Sequence, residues 1–416
     1  MKRFSRSSLT TMAVCLLFIP ALLKAQPRPA HRKKVGVVLS GGGAKGMAHI
    51  GVLKVIEKAG IPIDYVVGTS MGSIIGGLYS IGYSPEQLDS MVRRQDWTFL
   101  LSDKIPRSEQ NLSERDASQK YVFSIPFGKG VKAEVFGGLI RGQNLANLFS
   151  ELTIGYHDSI NFNKLPIPFA CVSENIVNGN EVNFHEGVLA TAMRASMAIP
   201  GVFTPVRLDS MVLVDGGVVN NYPVNVARAM GADLIIGVDV QSELKPAGEL
   251  NSAGAILGQL VNLMGQDLYK KNLKETTTYI KVNVEGYSAA SFTPSAIDTL
   301  IMRGEEAAMA QDSALMALKS QLGLDSTYMP QPIPSYPYSP ERKVYVKEIT
   351  FDGLDEKDKK WLLKRCDLKE NSEISIRRIE EATAILSANL GYSGATYNLP
   401  EAPGGGYNLN YTLSKK

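Results

Sequence analysis

Cysteine is scarce in this chain of 416 residues: there are 3, and Cys15 lies in an N-terminal leader, leaving Cys171 and Cys366 far apart in sequence. Two such residues make neither a disulfide framework nor a metal cluster, so the fold has to rest on apolar cores. Histidine is almost as rare, the full set of 4 being His31, His49, His157 and His185. None follows the best acid candidate, Asp215, which rules out the chain order Ser, Asp, His of an α/β-hydrolase triad. The apolar stretch Met12 to Leu23 falls short of the roughly 20 residues that a membrane-spanning helix needs. Excess charge is missing as well. The formal net charge is +3, and the leader cations Lys2, Arg3, Arg6 and Lys24 account for more than all of it, which removes any electrostatic argument for a nucleic-acid partner.

What is present begins with that leader. A basic start, a short apolar core and Ala25 as the cleavage residue make 1–25 a secretory signal. The remainder, in a chain with 44% hydrophobic and 20% charged residues, suits two globular domains with sizeable cores. Through 34–324, β-branched runs such as KVGVVLS, DYVVG, IPFACVSE and DLIIGVDV alternate with helical patterns such as GMAHIGVLKVIEKAG and SIIGGLYSIG. That alternation predicts an α/β domain with a mainly parallel sheet and helices on both faces. Residues 325–342 are proline-rich, PQPIPSYPYSP, and predict an extended linker. Beyond it, 343–416 reads as a small β-α-α-β-β unit.

Three short stretches carry the chemistry. SGGGAKG follows the first strand, and Gly41, Gly43 and Gly46 fit G-x-G-x-x-G. That pattern is read three ways: a dinucleotide turn, with Asp64 the nearest acid for a ribose; a plain strand-to-helix connection; or an oxyanion hole of converging N–H groups. A P-loop is excluded, because Lys45 is followed by Gly46 rather than Ser or Thr. Gly68-Thr69-Ser70-Met71-Gly72 is a G-x-S-x-G elbow between strand and helix, which puts Ser70 forward as a nucleophile. A serine hydroxyl needs a base, and Asp215, at the end of VLVD and before Gly216 and Gly217, supplies a carboxylate at a strand tip. Burial that raised its pKa would suit it to that work. The same DGG is equally a hairpin turn.

Taken in order, GGGAKG at 41–46, GTSMG at 68–72, ASMAIPGVFTPV at 195–206 and DGG at 215–217 resemble the motifs of the patatin-like phospholipase family, here in a bacterial, exported form. The resemblance implies a three-layer α/β/α fold and a Ser-Asp dyad without histidine. Ser70 is then the nucleophile, Asp215 the general base, and Gly41, Gly42 and Gly43 frame the oxyanion hole. Gly46, Gly68, Gly72, Gly216 and Gly217 support the motifs. Lys45 stands where the family carries Arg or Lys, either near a substrate phosphate or stiffening the loop; the alternative is a solvated loop charge. The activity implied is hydrolysis of carboxylic esters of phospholipids at a membrane surface, with no cofactor and no metal.

The ASMAIPGVFTPV block reads as packing alone. Trp97, Phe99, Leu100 and Leu101 are either a lipid-facing lip or core. The C-terminal unit resembles a POTRA domain, implying an outer-membrane barrel or envelope protein as partner and a place in the periplasm, outer membrane or cell surface. Two other functions remain open: an envelope scaffold or secretion adaptor whose first domain is passenger or lipid sensor, and a nucleotide-dependent oxidoreductase resting on the glycine pattern alone.

Overall fold

The computed structural model describes residues 32–104, 140–251, 253–334, 339, 341–352, 354, 356–388 and 392–415. The leader at 1–25 lies outside them. The central sheet has eight strands: β1 (Val35–Leu39), β2 (Tyr65–Thr69), β3 (Phe169–Asn175), β4 (Asn180–Phe184), β5 (Val206–Leu208), β6 (Met211–Asp215), β7 (Leu234–Asp239) and β8 (Thr278–Lys281). In the order β8, β7, β1, β2, β3 the neighbours run parallel. The antiparallel strands β4, β6 and β5 complete the sheet beyond them. The α/β fold with a mainly parallel central sheet is thus the one expected.

Side chains of a strand alternate between faces, so a strand covered on both sides must be apolar throughout. Val35, Val37 and Leu39 of β1 enter the larger core with Phe169 and Cys171 of β3, whereas Val38, Ala170 and Val172 enter the smaller one on the other face. Helices Ala48–Lys58, Met71–Ser80 and Pro294–Met309 cover the first face, and helix Val224–Ala229 the second.

The strand β3 organises the site. One edge of it pairs in parallel with β2 as far as Thr69 opposite Val172. The next residue, Ser173, lies opposite Asp215 of the antiparallel β6. The other edge is occupied by β4 over the same stretch, so β2 and β6 must share an edge and point their C-terminal ends at each other. Two segments distant in sequence are brought together at adjacent positions of one strand.

The C-terminal unit is a four-stranded sheet of β9 (Lys343–Asp352), β10 (Ser372–Ser375), β11 (Tyr392–Asn398) and β12 (Tyr407–Lys415), in the order β10, β9, β12, β11. Helices Glu356–Arg365 and Ile376–Ser387 belong to it. The strand β10 is absent from the sequence reading; four residues carry too little alternation to be seen. Cys366 lies in this unit's core and Cys171 in the larger core of the first domain, and both thiols are free. Before the unit, residues 325–334 form neither helix nor strand. Their start is anchored by the Lys319 ammonium, which donates to the carbonyls of Ala59, Ser326 and Tyr328.

Candidate active site

Ser70 follows β2 and heads helix Met71–Ser80 with φ 54° and ψ −123°, a conformation that L-residues rarely adopt. The turn is tight enough to exclude side chains on both flanks. A Cβ on Gly68 would lie 2.3 Å from the Gly72 carbonyl oxygen, and one on Gly72 would lie 2.2 Å from that of Leu39. These glycines are needed for close approach, and the strain they permit turns the Ser70 side chain out of the strand.

Three contacts hold the strained residue. Its N–H donates to Ser196 Oγ at 3.0 Å, Ser196 Oγ donates to the Val172 carbonyl at 2.6 Å, and Ser73 Oγ donates to the Ser70 carbonyl at 2.6 Å. Next to Ser196, the Ala198 carbonyl accepts the Asp215 N–H at 2.9 Å. The ASMAIPGVFTPV block therefore fastens both halves of the site, which the reading of it as packing alone missed. A serine among small residues carries no signal for this; only its tertiary position does. Ser196→Ala leaves the buried Ser70 N–H without its acceptor, a loss of about 1–3 kcal/mol. Urea unfolding should show that loss, and ester turnover should fall by about tenfold if the lost contact aims the nucleophile.

Ser70 Oγ donates to Asp215 Oδ2 at 2.6 Å, and the Gly217 N–H donates to Oδ1 at 2.7 Å. Both side chains are buried. Burial pushes the Asp215 carboxyl up to about 6, against the opposing pull of the bonds from Ser70 and Gly217. The group is ionised at neutral pH yet basic enough to exchange a proton there. Gly216 is confined as tightly as the elbow glycines, since a Cβ there would lie 2.2 Å from the Val172 carbonyl oxygen.

In the glycine loop the three residues do different things. The Gly41 N–H donates to the Asn221 carbonyl at 3.2 Å and the Ala44 N–H to that of Ala289 at 2.9 Å. Gly41 is therefore corrected from donor to spacer: its N–H is spent, and a Cβ there would come within 3.1 Å of Ser70 Cβ. The N–H groups of Gly42 and Gly43 have no acceptor among the described residues, and Gly43 lines the cavity that opens at Ser70. Gly43 has φ +58°, and Gly46 packs its bare Cα against Met71.

Lys45 is not a solvated loop charge. It is buried, its ammonium donates to Ser242 Oγ at 2.8 Å, and desolvation together with the nearby Lys281 lowers its pKa to about 8. Asp64, the acid of the dinucleotide reading, immediately precedes β2, at the end of the sheet opposite the glycine loop. There it is clamped by the Arg32 guanidinium at 2.6 and 2.8 Å and accepts the Val35 N–H. The histidines lie elsewhere. His49 Nε2 is bonded to the Ser40 carbonyl, His157 Nε2 to that of Ser150, and burial lowers both pKa values to about 4. No histidine bonds to Ser70 or Asp215 among the described residues. His31 lies outside them. His49→Gln and His185→Gln should keep ester turnover within a few-fold of the parent; a loss of about 10³-fold in either would restore a triad.

From Ser70 a cavity of about 320 Å³ runs into the larger core, walled by Ile74, Leu78, Leu148, Phe149 and Phe203. Trp97 and Leu101 also line it, Trp97 stacking on Phe292 at 4.8 Å, while Leu100 is buried. Two of the four residues suspected of forming a lip are thus cavity wall and one is core, and Phe99 is half-buried on the far side. An apolar slot that meets a hydrogen-bonded serine and two unused N–H groups can hold an apolar chain beside a nucleophile. Among the described residues no three His, Cys, Asp or Glu are grouped to hold a metal ion.

Residues 37–228 match the family model for patatin-like phospholipase. The chain is 31% identical over 221 residues to lysophospholipase NTE1 of Candida albicans, covering 52% of this chain and 14% of that protein. It is 29% identical over 230 residues to an uncharacterized NTE family protein of Mycobacterium bovis, 55% of each. The chain therefore spans about half the length of one of these relatives and a small fraction of the other. The crystal structure of VipD from Legionella pneumophila aligns with TM-score 0.40 and 16% identity over 69% of this chain and 67% of that one, too distant a likeness to bear on the site.

Proposed function

We propose that the patatin-like phospholipase domain carried by this chain is a lipid acyl hydrolase working through a dyad of Ser70 and Asp215. The observation that carries the reading is the 2.6 Å bond between a strained serine and a buried carboxylate at the mouth of an apolar cavity. Asp215 takes the Ser70 proton as Oγ attacks the ester carbonyl, and the N–H groups of Gly42 and Gly43 hold the oxyanion. The C–O bond to the alcohol breaks, the alcohol leaves with the proton from Asp215, and the acyl group remains on Ser70. Asp215 then deprotonates a water that attacks the acyl-enzyme, releasing the fatty acid and returning the proton to Ser70. The apolar cavity at Ser70 suits an ester that presents a single acyl group, in keeping with a relative named as a lysophospholipase.

On the same reading the leader exports the chain, and the C-terminal unit, which resembles a POTRA domain in sequence, is its contact with the envelope. A fluorophosphonate probe with peptide mapping tests the chemistry. Labelling at Ser70, prevented by prior incubation with a lysophospholipid, is expected. Labelling at another serine overturns the assignment, and no labelling of folded protein leaves the chain to the adaptor reading.

A further inference from the structure

Helix Gln143–Leu152 has two stripes. Leu145, Leu148, Phe149 and Leu152 turn into the apolar cavity. Gln143, Asn147 and Glu151, spaced four apart and therefore aligned on one flank, turn toward the C-terminal unit. Gln143 Nε2 donates to Ser387 Oγ at 3.1 Å and to the Ala395 carbonyl, Asn147 Nδ2 donates to the same carbonyl at 3.2 Å, and the Glu151 carboxyl is hydrogen-bonded to that of Glu380. Two carboxyls this close need a proton between them, and burial beside Glu380 holds Glu151 well above the usual carboxyl range. Just past the helix, Ile154 is buried in the C-terminal unit's own core, and His157 Nδ1 accepts the Leu399 N–H at 2.7 Å.

A second cavity, more polar than the first and also about 320 Å³, lies on the far side of the helix between the two units. Gln95 and Leu148 line both cavities. The helix is thus a partition with space on either side. Its apolar face is buried in the larger core, and the first domain also holds it through the Tyr83 hydroxyl, which donates to the Leu152 carbonyl, and Asn144 Nδ2, which donates to the carbonyls of Phe99, Ser102 and Lys104. The polar stripe anchors the opposite flank, and every partner of that stripe named above belongs to the C-terminal unit.

We propose that the C-terminal unit sets which acyl-chain lengths the cavity accepts, by holding helix Gln143–Leu152 in place through Gln143, Asn147 and Glu151. This rests on the reading of the cavity as an acyl-chain site. A short chain occupies only the part near Ser70 and senses the far wall little. A long chain needs Leu148, Phe149 and Leu152 where they stand. Gln143, Asn147 and Glu151 are positioning residues, acting through the wall they carry.

The test uses the full chain in a Ser70→Ala background, so that binding is read without turnover. Binding of cis-parinarate, followed by its fluorescence, reports the long chain, and its displacement by octanoate reports the short one. In the Gln143→Ala/Asn147→Ala double variant the Kd for cis-parinarate should rise by about tenfold while that for octanoate moves less than about twofold. Glu380→Ala, on the other side of the contact, should show the same change in ratio, and Glu380→Gln, which keeps a hydrogen bond to Glu151, should restore the parent values. Equal weakening of both acids, no change in either, or failure of the parent to bind cis-parinarate overturns the proposal. Because labelling of Ser70 is scored separately on protein with an intact serine, loss of the hydrolase reading would show there and not in the binding ratio.

Discussion

Ser70→Ala abolishes both ester hydrolysis and fluorophosphonate labelling while the protein keeps its fold. Only one oxygen is removed, and the backbone that positions it is held by Ser196, Ser73 and the glycines at 68 and 72, none of which contacts that oxygen in its role as donor to Asp215. Alanine inherits the strained φ of 54°, so the strain is common to both proteins and cancels in the comparison. Turnover should drop by about 10⁴-fold or more, the scale for removing a nucleophile, with whatever remains coming from the oxyanion donors and binding. The melting temperature should shift by only a few degrees, as expected for about 1 kcal/mol from one hydrogen bond. Activity retained at parental levels in the alanine variant would exclude the dyad.

Asp215→Asn should be nearly as damaging, for a different reason. Asparagine keeps the shape and accepts the Gly217 N–H, but it takes no proton from Ser70, so kcat should fall by about 10²–10⁴-fold. Stability should follow the opposite logic. The carboxyl pKa is near 6 in the fold and lower in the unfolded chain, so the folded state holds the proton more firmly. As pH falls from about 6 toward 4 the fold gains stability. Above about 6 the buried negative charge costs roughly 3 kcal/mol, the equivalent of about two pKa units. At pH 8 the asparagine variant escapes that cost, and its melting temperature should match or exceed the parent's. The parent's kcat/KM should rise with pH through about 6, as Asp215 becomes the base. A stable variant with near-parental turnover would remove Asp215 from the mechanism; an unstable one with intact chemistry would make it only the cap of the Gly216-Gly217 turn.

Much of this was legible in one dimension. Local backbone chemistry writes itself into local sequence: apolar runs such as VGVVL mark strands buried on both faces, and Gly68 and Gly72 around Ser70 mark a turn too tight for side chains. The resemblance of four motifs in order implied a serine paired with a carboxylate, and the lack of a well-placed histidine agrees with it. Where the signal was short, it failed. Four residues of β10 show no period, and Gly41 looks the same as Gly42 and Gly43 although its N–H is committed to Asn221.

By itself, then, the sequence determined the alternating α/β domain and the elbow at Ser70, because each is encoded by neighbours within a few residues, while Asp215 stood between base and hairpin turn until the order of the motifs was compared. Only the tertiary structure decided that Ser70 and Asp215 meet, since that follows from β2 and β6 ending at adjacent residues of β3. The same holds for the raised pKa of Asp215, the part played by Ser196, the burial of Lys45 and the place of helix Gln143–Leu152 between two cavities. Each depends on which distant side chains exclude water from a given atom, and distance through space is not written in distance along the chain.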